Sequence, residues 1–167
     1  MRTSLQDVLS LQDPAASYNF DLFLPNIPGS SDTRDLTFKC MTIDLPGVGT
    51  DPMDVALHGV NVPYAGRKVY THTLTATFLE TADWMTREKF RRWNEFIRSW
   101  KQNSGALAAA YKVDAQMVLY NDVPEVVRTT NLLGLYLENM AEVQMDGGAS
   151  NVITLQCTFK YTYWDDV

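Results

Sequence analysis

The chain has 167 residues, 46% of them hydrophobic and 20% charged, a globular composition with length enough for one domain around one core. Its formal charge of -6 excludes an unaided electrostatic grip on nucleic-acid phosphates. No run approaches the roughly 18 apolar residues of a membrane helix, and the opening MRTSLQDVLSLQDP lacks the continuous apolar core and cleavage site of a signal peptide. The expectation is a chain without a membrane anchor, kept in the cytosol or leaving it by a route other than a signal peptide.

Residues 3–12 are expected to form a short amphipathic helix with Leu5, Val8, Leu9 and Leu11 inward, closed by Asp13-Pro14. Too short to be stable alone, it needs a surface to dock on, its own or a neighbour's. SYNFDLFLPNIPG alternates Tyr18, Phe20, Leu22 and Leu24 against Asn19 and Asp21, which predicts a first strand stopped at Pro25 and Pro28-Gly29. DLTFKCMTIDLPG predicts a second strand ended by Pro46-Gly47, with Leu36, Phe38 and Cys40 sharing one side.

Residues 45–66 are dense in Gly and Pro, with one brief strand-like piece near Asp54 to Leu57. A compact domain rarely spends some twenty residues this way without a use for them. Solvated slack is one reading. The apolar content, Leu45, Val48, Met53, Val55, Leu57, Val60, Val62 and Tyr64, points instead to a hairpin arm that buries itself against another chain.

In VYTHTLTATFLET every second residue from Thr71 to Thr77 is a threonine: Thr71, Thr73, Thr75 and Thr77. The opposite parity carries Tyr70, His72, Leu74, Ala76 and Phe78, so a strand with one buried and one wet face is expected. Next comes the one long helix, over residues 86–102. Phe90, Trp93, Phe96, Ile97 and Trp100 form its apolar stripe, Thr86 its N-cap and Asn103 to Gly105 its stop. The spacing that aligns these aromatics is the one that packing on a sheet requires, so the helix is expected to lie across a sheet rather than to stack on bases.

The remainder reads as strands: VDAQMVLYN, VVRTTNLLGLYLENM and NVITLQCTFKYTYW. In the last, Ile153, Leu155, Cys157, Phe159, Tyr161 and Tyr163 share one face, and Thr154, Gln156, Thr158, Lys160 and Thr162 the other. The two hydroxyl-rich faces have two readings. Threonine is a common filler of half-solvated strands, and the same faces suit a surface that must stay wet without attracting charge. Cys40 and Cys157 belong to no CxxC pair; they are buried thiols, or a disulfide between strands or subunits.

Signals of chemistry are missing. His58 and His72 have no partner at metal-ligand spacing, GVGTDP and DGGAS are turns followed by strands rather than phosphate loops, and neither a nucleophile elbow nor a Cys/His pair occurs. The expectation is a non-enzymatic protein with no metal and no cofactor.

In order, the chain offers a short helix, two strands, a long arm, a strand, an aromatic-striped helix and three strands. In that order, and in YNFDLFL, LTFKCMTIDLPG, VPYAGRKVY, REKFRRWNEFI and LQCTFKYTYW, it resembles the tail tube proteins of contractile-tailed bacteriophages. These are similar in turn to the hemolysin-coregulated protein of type VI secretion and to the tubes of tail-like bacteriocins. The resemblance covers nearly the whole chain as a single tail-tube domain, residues 1–167.

It implies a mainly β (α+β) fold, an antiparallel β-sandwich or barrel-forming subunit with one flanking helix. It implies homohexameric rings that close through a shared β-barrel and stack into the hollow inner tube of a virion tail, through which DNA is ejected. Segments 1–14 and 45–66 would reach neighbouring rings. Partners implied are further copies of the chain, sheath, baseplate, tail terminator and, transiently in the lumen, tape measure protein and DNA, with assembly in the host bacterial cytoplasm. The candidate lumen-facing residues are Thr71, Thr73, Thr75, Thr77, Thr154, Gln156 and Thr158, with Lys160 an awkward neighbour, since cations hold a polyanion. The alternatives are a tube of a type VI secretion system or tail-like bacteriocin, and, from another class, a monomeric β-sandwich binding or enzyme module.

Overall fold

The computed structural model describes residues 5–10 and 14–167. Its centre is a seven-stranded, all-antiparallel sheet in the order β1 (Phe20–Phe23), β8 (Val113–Tyr120), β9 (Val126–Met140), β10 (Thr154–Lys160), β5 (Thr73–Leu79) and β2 (Cys40–Ile43), with β11 (Tyr163–Asp166) also on β9. Two hairpins stand apart from it: a long one, β3 (Val48–Leu57) with β4 (Val60–Tyr70), and a short one, β6 (Arg98–Ser99) with β7 (Ser104–Gly105). The helices are α1 (Leu5–Leu9), α2 (Arg34–Lys39), α3 (Met85–Ile97) and α4 (Ala108–Tyr111).

The long strand β9 divides the sheet in two. Its first part pairs with β8 on one side and β11 on the other, and its last residues pair with β10. The division falls at Gly134, which has φ +64°. A Cβ there would lie 2.6 Å from Thr162 Oγ1, so both backbone and space demand glycine. Thr162 sits where the chain breaks between β10 and β11, and its N–H donates to the Leu133 carbonyl at 2.9 Å. The final sequence pattern, read as one strand, is therefore two, and Tyr163 is exposed rather than on the core face.

Both parts of the sheet turn apolar residues to one core, which holds Leu22, Leu36, Leu74, Phe78, Leu132, Leu135, Leu155 and Phe159. Helix α3 lies over it. Phe90 meets Phe78 at a ring separation of 4.9 Å and Phe159 at 5.9 Å, Trp93 meets Phe159 at 6.1 Å, and the Trp93 indole N–H donates to the Tyr111 carbonyl at 3.0 Å. Each such fully buried side chain stabilises the fold by roughly 1.5–3 kcal/mol.

Several expectations are corrected. The residues read as the start of a second strand form α2, in which Leu36 is buried and Phe38 is exposed, so the shared side of Leu36, Phe38 and Cys40 does not exist. Alternation over so few residues fits either element, and here Lys39 and Asp35 pair at helical spacing, 3.0 Å apart, while Lys89 of α3 bonds the same carboxylate.

Thr86 is a buried residue inside α3, not its cap. The first turn is satisfied instead by the Glu80 carboxylate, which accepts the N–H groups of Thr86 at 3.1 Å and Arg87 at 2.7 Å. The helix also stops at Ile97 rather than 102, because Arg98 turns extended and opens the β6–β7 hairpin. That change of direction carries Trp100 off the stripe into solvent, and Phe96 is exposed as well. Leu5 and Leu9 of α1 are exposed rather than inward; Leu11 lies outside the described residues, as does the side chain of Val8.

Candidate functional site

The two threonine patterns, far apart in sequence, are brought side by side. Strands β5 and β10 pair with Thr77 opposite Gln156, Thr75 opposite Thr158 and Thr73 opposite Lys160. On the far side of β5, Thr42 stands opposite Thr77, and the Asp44 carboxylate accepts the Thr75 N–H at 3.3 Å. Leu74, Ala76, Phe78, Leu155, Cys157 and Phe159 point the other way and are buried. The result is one hydroxyl- and amide-rich carpet backed by a solid core, the consequence of period-two alternation on adjacent strands.

Thr154 continues this face at the end of the ladder, opposite Leu79. One expected member, Thr71, falls elsewhere, and with it His72 and Tyr70, which are expected on the buried parity. Thr71 precedes β5, and its hydroxyl lies 3.1 Å from that of Tyr161. His72 has φ +52° and is exposed, with Nδ1 3.1 Å from the Tyr161 carbonyl, and Tyr70 ends β4. A left-handed residue cannot continue a strand, so the alternation breaks there.

Lys160 is the one cation among the residues of this carpet named above, and it is not free. Its ammonium donates to Thr73 Oγ1 at 2.7 Å and lies 3.6 Å from Glu138 Oε2. The ladder between β9 and β10 is irregular here: Thr158 pairs with Asn139 and Phe159 with Leu137, leaving Glu138 unopposed as a bulged residue. Nothing in the sequence pattern marks Glu138, since the bulge appears only in the pairing. At the corner, Lys112 donates to Thr162 Oγ1 at 3.1 Å and lies 5.9 Å from the Tyr136 ring centre.

The arm is a long two-stranded hairpin. His58 and Gly59, with φ of +49° and +83°, form its two-residue turn. Where the sequence pattern predicts one brief strand-like piece, near Asp54 to Leu57, the segment forms two long paired strands. Met53 pairs with Tyr64, Val55 with Val62 and Leu57 with Val60, so all six project from one face; Asp54, Asn61 and Pro63 occupy the other. Met53, Leu57, Val60 and Tyr64 are about half exposed or more, and so are Leu45 and Val48 near the base. Gly66 permits the bulge that aligns the strands, because a Cβ there would lie 2.5 Å from the Asp51 carbonyl oxygen.

The sheet's two edges, β1 and β2, do not pair with each other. A groove of about 1110 Å³ lies between them, lined by Phe20, Met41, Ile43, Leu45, Met117 and Leu119 among others.

Burial pushes the thiols of Cys40 and Cys157 up to about 12, and both are free. A disulfide between them within one chain is excluded: β5 stands between their strands, and two strand spacings, about 10 Å, exceed the reach of a disulfide. Burial would raise the Asp35 pKa, but hydrogen bonds from Lys89 and Lys39 overcome it and hold the carboxyl below its ordinary range. Among the described residues no cluster of His, Cys, Asp and Glu has the makings of a metal site, and no helix is long and apolar enough to cross a membrane.

The chain is 26% identical over 136 residues to tail tube protein gp19 of Enterobacteria phage T4, covering 79% of this chain and 82% of that one, and equally to gp19 of Enterobacteria phage T6. Its fold matches a chain of the PVC sheath–tube complex, an extracellular contractile injection system in the extended state, with TM-score 0.65 and 14% identity over 99% of both chains. A type six secretion system protein matches with TM-score 0.52 and 9% identity, over 88% of this chain and 81% of that one. The family model for phage tail tube proteins matches residues 10–166, and the chain belongs to that family.

Proposed function

We propose that this structural, non-enzymatic protein forms homohexameric rings that stack into the hollow inner tube of a contractile phage tail, and that the tube conducts DNA into the host during ejection. The observation that carries the reading is the pairing of the two hydroxyl patterns into one face, on a sheet whose end strands β1 and β2 do not pair with each other. Closing such sheets around a ring removes their edges and leaves one side for a channel. A wall of threonine and glutamine stays wet yet gives a polyanion nothing to grip, because retention of phosphate needs cations.

In this reading Thr73, Thr75, Thr77, Gln156 and Thr158 line the lumen. The apolar face of the β3–β4 hairpin, together with the N-terminal segment, packs on neighbouring rings, and α3 lies outside the barrel. Sheath, baseplate and terminator proteins are the outer partners, tape measure protein and DNA the transient inner ones, and assembly takes place in the host cytoplasm. The same architecture in an injection or secretion apparatus is the second reading, supported by the fold shared with the PVC chain. Relatedness in sequence to phage tail tubes supports the virion. Capsid and terminase genes beside this gene would decide for it.

Negative-stain electron microscopy of the purified protein over a range of concentrations tests the proposal. Rings or hollow tubes with a central channel are expected. A monodisperse monomer that never assembles, even when seeded with tail baseplates, would overturn it.

A further inference from the structure

We propose that Glu138 is a charge mask: its carboxylate neutralises Lys160 so that the hydroxyl face offers no free cation to a polyanion moving past it. This rests on the reading that the face lines the channel.

The residues of β10 on that face run Thr154, Gln156, Thr158, Lys160, so the pattern that makes the wall inert ends in a cation. The ammonium is drawn to both sides along the sheet, to Thr73 Oγ1 on β5 at 2.7 Å and towards Glu138 Oε2 on β9 at 3.6 Å. Glu138 is the residue left unopposed by the irregular pairing of β9 with β10, so its side chain does not compete with a cross-strand partner for this position. Both groups are partly open to solvent, with side-chain exposures of 32% for Lys160 and 44% for Glu138. An ion pair this exposed adds little to fold stability, so its consequence is electrostatic: it cancels a charge on the wall. Asp44, the other carboxylate on the carpet, is engaged with the Thr75 N–H on the far side of β5.

The effect of unmasking grows with repetition. Every subunit of a tube repeats the same lysine, and each phosphate contact steepens the salt dependence of binding by nearly one power of salt concentration, about 0.7 for a single strand. An array of weak contacts would therefore retain DNA that one contact would not.

Tubes assembled from wild-type, E138Q, E138Q/K160Q and E138Q/K112Q chains are mixed with a fluorescein-labelled single-stranded oligothymidylate and sedimented across a salt series. The E138Q tubes are expected to retain the probe about tenfold or more above wild type at low salt, and to lose it as salt rises. The excess should vanish in E138Q/K160Q and persist in E138Q/K112Q. Equal retention by wild-type and E138Q tubes would overturn the proposal, as would rescue by K112Q instead of K160Q.

Should E138Q fail to assemble, E138K and the swapped pair E138K/K160E replace it. Retention by the first and not the second is expected, and equal retention by the two would overturn the mask. A cryo-electron microscopy map of the wild-type tubes separates the two levels. Thr75 on the outer wall removes the lumen reading and the mask with it, whereas Thr75 in the lumen with no excess retention by E138Q removes the mask alone.

Discussion

The β5–β10 ladder and the β3–β4 hairpin are built from the same pattern, apolar residues on alternate positions of paired strands, yet they end in opposite environments. In the ladder the apolar side, with Leu74, Phe78, Leu155 and Phe159, is covered by α3 and by the rest of the sheet. In the hairpin the apolar side, with Met53, Leu57, Val60 and Tyr64, is left uncovered by the described residues. Alternation specifies that a strand has an apolar face, and packing decides whether the chain itself or another copy covers it.

The largest expected effect separates these two regions outright. Deleting residues 47–64 should leave a folded subunit, with its circular dichroism spectrum and cooperative unfolding retained, and abolish tube formation in electron micrographs. Long tubes from the armless chain would erase the distinction.

Single side chains sharpen the contrast. Phe159→Ala opens a cavity among Phe78, Phe90 and Trp93 and should cost the unassembled subunit about 3–5 kcal/mol in denaturant unfolding. Leu57→Ala should change that figure by less than about 0.5 kcal/mol while raising the concentration needed for assembly.

The corner that divides the sheet gives a smaller effect. Gly134→Ala places a Cβ against Thr162 at a left-handed position and should destabilise the subunit by about 1–2 kcal/mol from the backbone alone, with the clash in addition. The corresponding Gly147→Ala, in open space at an ordinary φ, should be nearly neutral in the same assay.

The smallest effect is on pH dependence. The folded pKa of Asp35 is held below its unfolded value by Lys89 and Lys39. Its contribution to stability is therefore complete above the ordinary carboxylate range, near pH 4, and is lost as pH falls through the folded value. Wild type and D35N should differ in unfolding midpoint at neutral pH and converge in acid. A constant difference down to acid pH would show that the lysine contacts do not act through charge.

Much of the candidate site was legible because the side-chain period of a strand is a backbone property. Thr73, Thr75 and Thr77 were assigned to one face from spacing alone, as were Gln156 and Thr158. The pattern misled where it was short or where a chain reversal interrupted it. Leu36, Phe38 and Cys40 alternate over too few residues to tell a strand from a helical turn, and the ion pairs of Asp35 with Lys39 and Lys89 settle the matter in space. Phe96 and Trp100 continue a helical stripe in sequence, but the helix ends before Trp100, and a stripe buries only the residues that find a sheet beneath them.

By itself the sequence determined which residues share a face along β5 and β10 and that one aromatic-striped helix exists, because these follow from local period and residue chemistry. The tertiary structure alone decided that the two threonine patterns are neighbours in register, that Glu138 sits beside Lys160, that β9 turns at Gly134 and that the hairpin's apolar face has no cover among the described residues. Those depend on contacts between residues distant in sequence, which are chosen by how the whole sheet closes over its core and not by any segment's own preference.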